Sequence, residues 1–439
     1  MLPSLRLAGL CAALSTLTLG ATLWPQALWA GLAAQLTLLA CALLDGLLIH
    51  GQPKPQVRRV LPSKLVLHRP AEVRLDVSGL RRDERIVLAD TPPSFLHSEA
   101  HRGEFLVGGE TATLKYQVLP LQRGAWSYGP VELRRRGPLG LVHRRWRWSL
   151  DDSIEVLPDL AAAGRAALAI RKAHRLGAGR GVRGAAGSGR EFDSLRPYVR
   201  GDDVRLVDWK ATARRRQPVV RHDQAERHQN VLLVLDAGRH MTARSRARRG
   251  AGQASKLDLA LEAALALACA AIDVGDRVGA LIFDDKPRHF VPCGTGRRHL
   301  HQLSRRIGMV QARLVEADPA AALAVVLHRL ARRSLVCLFT DVSDPLSARA
   351  LVEAQRVLAR RHLVLVVALR DPDFDRDRGV HDPASDSFER LAVHELLTLR
   401  GRALHLLSSA GAAVVDVGAH QIRTSTLDAY LDIKLRGRL

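Results

Sequence analysis

Aromatic residues make up only 4% of the 439 residues, and no run of them interleaves with basic side chains. A surface that holds single strands by stacking bases on rings needs such a run, and no groove-reading motif replaces it. Cysteine is equally sparse. The five thiols, Cys11, Cys41, Cys269, Cys293 and Cys337, include no C-x-x-C pair, which excludes a zinc site or a disulfide framework and leaves buried thiols in a reducing compartment. The glycines between Gly177 and Gly189 follow no strand and open no helix, so they are not a nucleotide fingerprint. No nucleophile with its base, metal centre or cofactor loop stands at a working spacing, and an enzyme is not expected.

What is abundant is positive charge. Lys and Arg outnumber Asp and Glu by 66 to 44, for a net charge of +22, which suits an anionic partner: lipid, nucleic acid or an acidic protein. The runs Arg214–Arg216 and Arg244–Arg249 read as solvated faces. At roughly 100 to 200 residues per domain, the length calls for two or three units.

The first unit, 1–50, reads as a transmembrane helical hairpin. Leu7 to Trp24 and Ala27 to Ile49 are apolar stretches of about 20 residues each, enough to span a bilayer, with Trp24, Pro25 and Trp29 marking the turn. A cleaved signal peptide fits less well, because a second apolar stretch follows at once. Arg6, Lys54, Arg58 and Arg59 all lie outside the hairpin, which puts both ends in the cytoplasm and the chain in the inner membrane. Gln35 and Asp45 are polar groups in the second stretch, and Asp45 is read as sitting near the interface.

Residues 51–160 alternate apolar and polar in short runs such as Glu72–Val77, Thr113–Val118 and Val131–Arg135, the period of a β-sandwich. Trp126, Trp146 and Trp148 then serve as core or edge packing. Residues 161–190, rich in Ala, Gly and Arg, read as a flexible basic linker. From 226 to 439 the apolar runs at 231–235, 278–283, 335–339, 363–369 and 413–417 read as buried parallel strands. Helical patterns at 256–273, 297–308, 318–331, 346–360, 387–407 and 424–435 accompany them. This is a doubly wound α/β domain, whose binding site lies at the carboxyl ends of the strands.

Between these domains, 191–225 concentrates charge and aromatics. Glu191-Phe192-Asp193, Arg196, Tyr198, Gly201-Asp202-Asp203, Arg205, Asp208-Trp209 and Thr212-Ala213-Arg214 fall close together after Gly189. Acids and bases at this density can form a charge-assisted network, in which Arg forks grip carboxylates. The pattern resembles the domain of unknown function 58 family, together with the hairpin, Arg123-Gly124 and Gly137-Pro-Leu-Gly-Leu141. The resemblance implies that the C-terminal domain is similar to von Willebrand factor A. Such domains hold a divalent cation through Asp-x-Ser-x-Ser and a later Asp. Here Asp236-Ala-Gly-Arg-His240 departs from that pattern, with Asp341 at the later position and Ser343 nearby. Asp236 and Asp341 are thus the ligands of a degenerate site, and Mg²⁺ is the only cofactor they suggest.

The resemblance further implies neighbours: MoxR-type AAA+ ATPases and other von Willebrand factor A-like proteins. The expected function is a membrane-anchored cytoplasmic scaffold or adaptor that works with such an ATPase in assembly or maturation of other proteins. The alternative is a basic protein that binds nucleic acid or anionic lipid, of which lipid is the simpler.

Overall fold

In the computed structural model, residues 2–20, 25–177, 190–199, 207–225, 229–245, 254–343, 345–371, 386–419 and 421–436 are described. They divide at residue 157 into two units, Met1–Leu157 and Pro158–Leu439.

The first unit begins with β1 (Leu2–Pro3), α1 (Leu5–Gly20) and α2 (Pro25–His50). Residues Leu28–His50 are long and apolar enough to cross a membrane, and Leu5–Leu19 forms a shorter apolar helix. The two helices touch where Gln35 donates to Thr18. Strands follow as β2 (Gln56–Val60), β3 (Leu65–Val66), β4 (Ala71–Ser78), β5 (Glu84–Ala89), β6 (Leu96–Glu99) and β7 (Arg102–Val107), then β8 (Thr111–Pro120), β9 (Gly124–Ser127), β10 (Val131–Arg136), β11 (Val142–Trp148) and β12 (Ser153–Leu157). They form sheets ordered β1-β11-β10-β5-β7, β2-β4-β8-β6 and β3-β12-β9, in which only the β3–β12 pair is parallel. Period-2 alternation does its expected work. Val73, Leu75 and Val77 of β4 meet Ile86 and Leu88 of β5 and Leu133 of β10 in one cluster, while their sequence neighbours stay nearer solvent. Trp146 is buried in that cluster and Trp126 packs on Phe95, with ring centroids 4.2 Å apart.

The second unit opens with α3 (Leu160–Gly177). This corrects the linker reading through residue 177; residues 178–189 lie outside those described. Alanine is the strongest helix former, and Ala163 and Ala167, one turn apart, are buried against α5 (Lys256–Asp273) together with Leu160 and Ile170. Small side chains here permit close helix packing.

After α3 come β13 (Arg190–Pro197), α4 (Trp209–Arg215), β14 (Val219–Ala225), β15 (Asn230–Asp236) and the short pair β16 (Arg244–Ser245) and β17 (Ala254–Ser255). Beyond α5 lie β18 (Arg277–Phe283), β19 (Pro287–Gly294), α6 (Gly296–Gly308), α7 (Pro319–Arg329), β20 (Ser334–Thr340), α8 (Pro345–Leu358), β21 (Leu363–Leu369), α9 (Asp386–Ser409), β22 (Ala413–Val417) and α10 (Ile422–Leu435). The main sheet is ordered β19-β18-β15-β20-β21-β22 and is parallel except for β19. Val231, Leu233 and Leu235 face a cluster shared with α3, α5, α6 and α10. Leu232 and Val234 face the opposite cluster, shared with α7, α8 and α9. Helices on both faces explain why these strands read as unbroken apolar runs. The strand order reverses between β15 and β20, and a doubly wound sheet places its crevice at that point, beyond the carboxyl ends.

Candidate functional site

Two of the expected site residues stand at that reversal. Asp236 ends β15 and Asp341 follows β20. Asp236 is buried with both oxygens engaged: Oδ1 accepts from the Gly238 amide at 2.7 Å and Oδ2 from the Thr340 hydroxyl at 2.6 Å. Burial pushes its carboxyl above the usual carboxylate range, against the pull of those two hydrogen bonds.

Asp341 has a different solution. Its Oδ2 accepts from Lys256 Nζ at 2.8 Å and its Oδ1 from Arg400 Nη1 at 2.7 Å. Lys256 also reaches Asp371 at 2.9 Å, and Arg400 reaches Asp416 and the Val342 carbonyl. Arg370 holds the second oxygen of Asp416 at 3.0 Å. Lys256, Arg370 and Arg400 thus balance Asp341, Asp371 and Asp416 in one network, with the Lys256 side chain 2% exposed and that of Asp341 6%.

Local sequence explains the placement of Lys256. It is the first residue of α5, set by a capping box in which the Ser255 hydroxyl accepts from the Asp258 amide and the Asp258 carboxylate from the Ser255 amide. The box fixes the entry angle of the helix, and the lysine stem runs to the strand ends.

These residues do not fit a divalent cation. Asp341 already carries two cationic partners, and at the two serine positions of the metal pattern stand Gly238 and His240. There is no room for a side chain at 238. A Cβ there would meet the Ala317 Cβ at 2.9 Å and the Val315 carbonyl at 3.1 Å, because the chain from 313 to 318 is hydrogen-bonded over this turn. Arg239 and His240 instead face Glu316, at 2.6 and 3.9 Å. Among the described residues no three His, Cys, Asp or Glu side chains converge on a common point.

The charged signature segment forms a separate feature. Glu191, Phe192, Asp193 and Arg196 lie on β13, which pairs antiparallel with β14, with a register shift between Phe192 and Ser194; their side chains lie outside what is described. Gly201, Asp202, Asp203 and Arg205 also fall outside the described residues, and with them most of the expected charge network. Asp208 caps α4, accepting from the Ala211 amide at 3.0 Å, while its own amide donates to the Val219 carbonyl. Thr212 accepts from the Val219 amide at 3.1 Å, and the Tyr198 amide donates to Pro218. The role these contacts give Asp208 is to pin a short helix to β14. Arg214 is exposed. So is Trp209, at 67%, with Val199 also exposed.

Lys256, Thr340, Asp371, Arg400 and Asp416 were missed by sequence reasoning. A capping box with a lysine at its first helical position, opening an otherwise apolar helix, was the one local signal available.

Residues 194–381 match the model of a family described as "Protein of unknown function DUF58". Uncharacterized protein Rv1480 of Mycobacterium tuberculosis is 35% identical over 188 residues, 42% of this chain and 56% of that protein. Uncharacterized protein YeaD of Bacillus subtilis is 27% identical over 128 residues, 28% of this chain and 31% of that protein. The chain spans about half the length, or less, of the curated relatives it matches. Among solved structures, the conserved hypothetical protein BatB from Bacteroides thetaiotaomicron is similar over 47% of this chain and 98% of its own, at 14% identity and a TM-score of 0.33. A protein of unknown function from Porphyromonas gingivalis W83 covers 25% of this chain and 50% of its own, at 18% identity and a TM-score of 0.20.

Proposed function

We propose, from the premise that residues 194–381 are a DUF58 domain, that the chain is a membrane-held docking protein rather than an enzyme. Its partner is a MoxR-type AAA+ ATPase. The second unit is von Willebrand factor A-like, and α1 and α2 form a two-pass anchor in the inner membrane with both soluble parts cytoplasmic. The observation that carries the reading is Trp209: a large apolar ring left 67% exposed on a helix that Asp208 caps at its start and Thr212 ties to β14 from its middle. Tryptophan is enriched among the residues that dominate binding energy at interfaces, and a pinned helix loses little entropy when its ring is covered.

The chemistry of the crevice supports binding over catalysis. Asp341, Asp371 and Asp416 are each matched by a cation. Burial pushes the thiols of Cys269 and Cys293 up to about 11 and that of Cys337 higher still, far from the thiolate form a nucleophile needs. Full-length protein in detergent, presented with the MoxR-type ATPase and with or without ATP, should capture it, and Trp209→Ala should lose most of that capture with unchanged folding. Equal capture by the variant would sink the reading.

A further inference from the structure

The first unit carries an unusual junction at the foot of its apolar helices. The turn between β10 and β11, residues 137–141, is wrapped around the Asp45 carboxylate, which accepts from the amides of Leu139, Leu141 and Val142 at 2.8, 2.9 and 2.9 Å. Gly137 packs so closely on that carboxylate that no side chain fits. Leu141 and Val142 pack with Ala42, Leu38 and Leu7 of the helices. Two residues further along β11, Arg144 donates to the carbonyls of Ile49 and His50 at 2.9 and 2.6 Å, which closes the end of α2. Strand β11 therefore runs beside the last turn of α2 and leads away from its apolar length.

This geometry fixes the height of the side chains on the opposite face of the ladder. Arg136 lies across from His143, and Arg134 across from Arg145, one step further from the helices. At about 3.3 Å per residue, the second pair stands about 7 Å beyond the first. That matches the thickness of a headgroup layer, roughly 5 to 7 Å on each side of the hydrocarbon. Arg145 is matched by Glu132. Among the described residues Arg134 and Arg136 form no ion pair within 4 Å, although Glu132 lies close enough to feel Arg134, and the Arg136 Nε is buried with no acceptor among them. The tight turn holds this guanidinium in place: Gly140, at φ +71°, leaves space that a Cβ would take, 2.7 Å from the Arg136 Nε. Burial holds His143 below its ordinary value, with Arg136 and Arg134 adding to that shift and Asp45 opposing it.

We propose that Arg134, Arg136 and His143, on the outer face of the β10–β11 ladder, bind the phosphate of an anionic phospholipid headgroup. Guanidinium forks match phosphate oxygens, and an anionic membrane surface attracts each nearby basic residue. The site rests on the reading that α1 and α2 lie in a bilayer.

The test uses the full chain, reconstituted in nanodiscs of phosphatidylcholine with a minor share of phosphatidylglycerol and then extracted gently for native mass spectrometry of retained lipid. Wild type should retain phosphatidylglycerol in preference to phosphatidylcholine. The double variant R134Q/R136Q should lose that preference on the order of tenfold, while R136K alone should keep most of it. Incorporation of the variants into pure phosphatidylcholine discs reports that they fold. The exposed pair R297Q/R298Q removes the same charge elsewhere and should change nothing. Equal lipid retention in wild type and R134Q/R136Q overturns the site, as does an equal loss in R297Q/R298Q. Displacement of the lipid by inorganic phosphate or an oligonucleotide would make it a general anion surface and overturn it too. Failure of wild type to enter phosphatidylcholine discs at all would instead remove the membrane reading, and the site with it.

Discussion

Replacing Lys256 with methionine keeps the length and the apolar stem but removes the ammonium that Asp341 and Asp371 share. Removing one partner of a buried ion pair typically costs about 3 to 5 kcal/mol, because the other charge stays buried. Asp341 keeps Arg400 as a partner at 2.7 Å, which places the loss at the lower end, about 3 kcal/mol. Asp371, with its side chain 31% exposed, is rehydrated easily and adds under about 1 kcal/mol. For a unit of this size, about 3 kcal/mol lowers the midpoint by roughly 6 to 10 °C. Hydrogen exchange of β20 and α5 peptides in the full-length protein would resolve the second unit from the first, and a thermal scan gives the midpoint. The double variant K256M/D341L should be more stable than the two single losses added together, since it strands no charge. The reasoning is refuted if K256M stays within about 0.5 kcal/mol of wild type, the range of an ordinary surface change. A wild-type midpoint that rises in millimolar Mg²⁺ would refute the assignment of Lys256 and Arg400 as the occupants of this crevice, because a cation bound only to the folded state must stabilise it.

Three further outcomes follow from buried polar groups. Asp236 has a raised carboxyl in the fold, so its contribution is complete below the ordinary carboxylate value and is lost as pH rises through the folded one; Asp236→Asn should flatten that slope and cost under about 1 kcal/mol at neutral pH in urea titrations, and a loss of several kcal/mol would show that the ionised form is needed. His362 is buried with neither ring nitrogen bonded among the described residues, and burial and Arg361 hold it below its ordinary value. Stability is therefore full above the usual histidine range and falls as pH drops through the depressed value; His362→Leu should flatten the acid limb and gain roughly 1 to 2 kcal/mol, and an unchanged limb would assign the acid sensitivity elsewhere. Asp45→Ala strands two buried amides and one half-buried amide of the β10–β11 turn and should cost roughly 2 to 4 kcal/mol in the first unit, read as faster exchange of the 137–142 amides; full protection in the variant would show that the carboxylate does not hold the turn.

Sequence reasoning reached those parts of the fold that repeat a local rule. The runs at 231–235, 335–339 and 363–369 are strands because a residue flanked by helices on both faces must be apolar at every position, and that pattern needs no knowledge of the partner. It failed at β19, whose segment Pro287–Gly294 carries prolines, Arg288 and His289. An edge strand pairs on one side only, so its pattern is loose. It failed at α3 because richness in Ala, Gly and Arg was read as a linker, whereas alanine is a strong helix former that packs through closeness.

The candidate site shows the same division in a sharper form. Asp236 and Asp341 could be named because each ends an apolar strand, a position defined along the chain. What Asp341 does is decided by Lys256 and Arg400, which also hold Asp371 and Asp416, all brought to one point from α5, the end of β21, α9 and β22. A long cationic side chain leaves almost no trace of its target in its own neighbourhood: Lys256 looks like a helix-start lysine and Arg400 like a surface arginine until the sheet closes. Two cations delivered by tertiary structure therefore satisfy Asp341, while Asp236 is satisfied by the Gly238 amide and the Thr340 hydroxyl. Asp341 without Lys256 would be a buried charge held by Arg400 alone of these two cations.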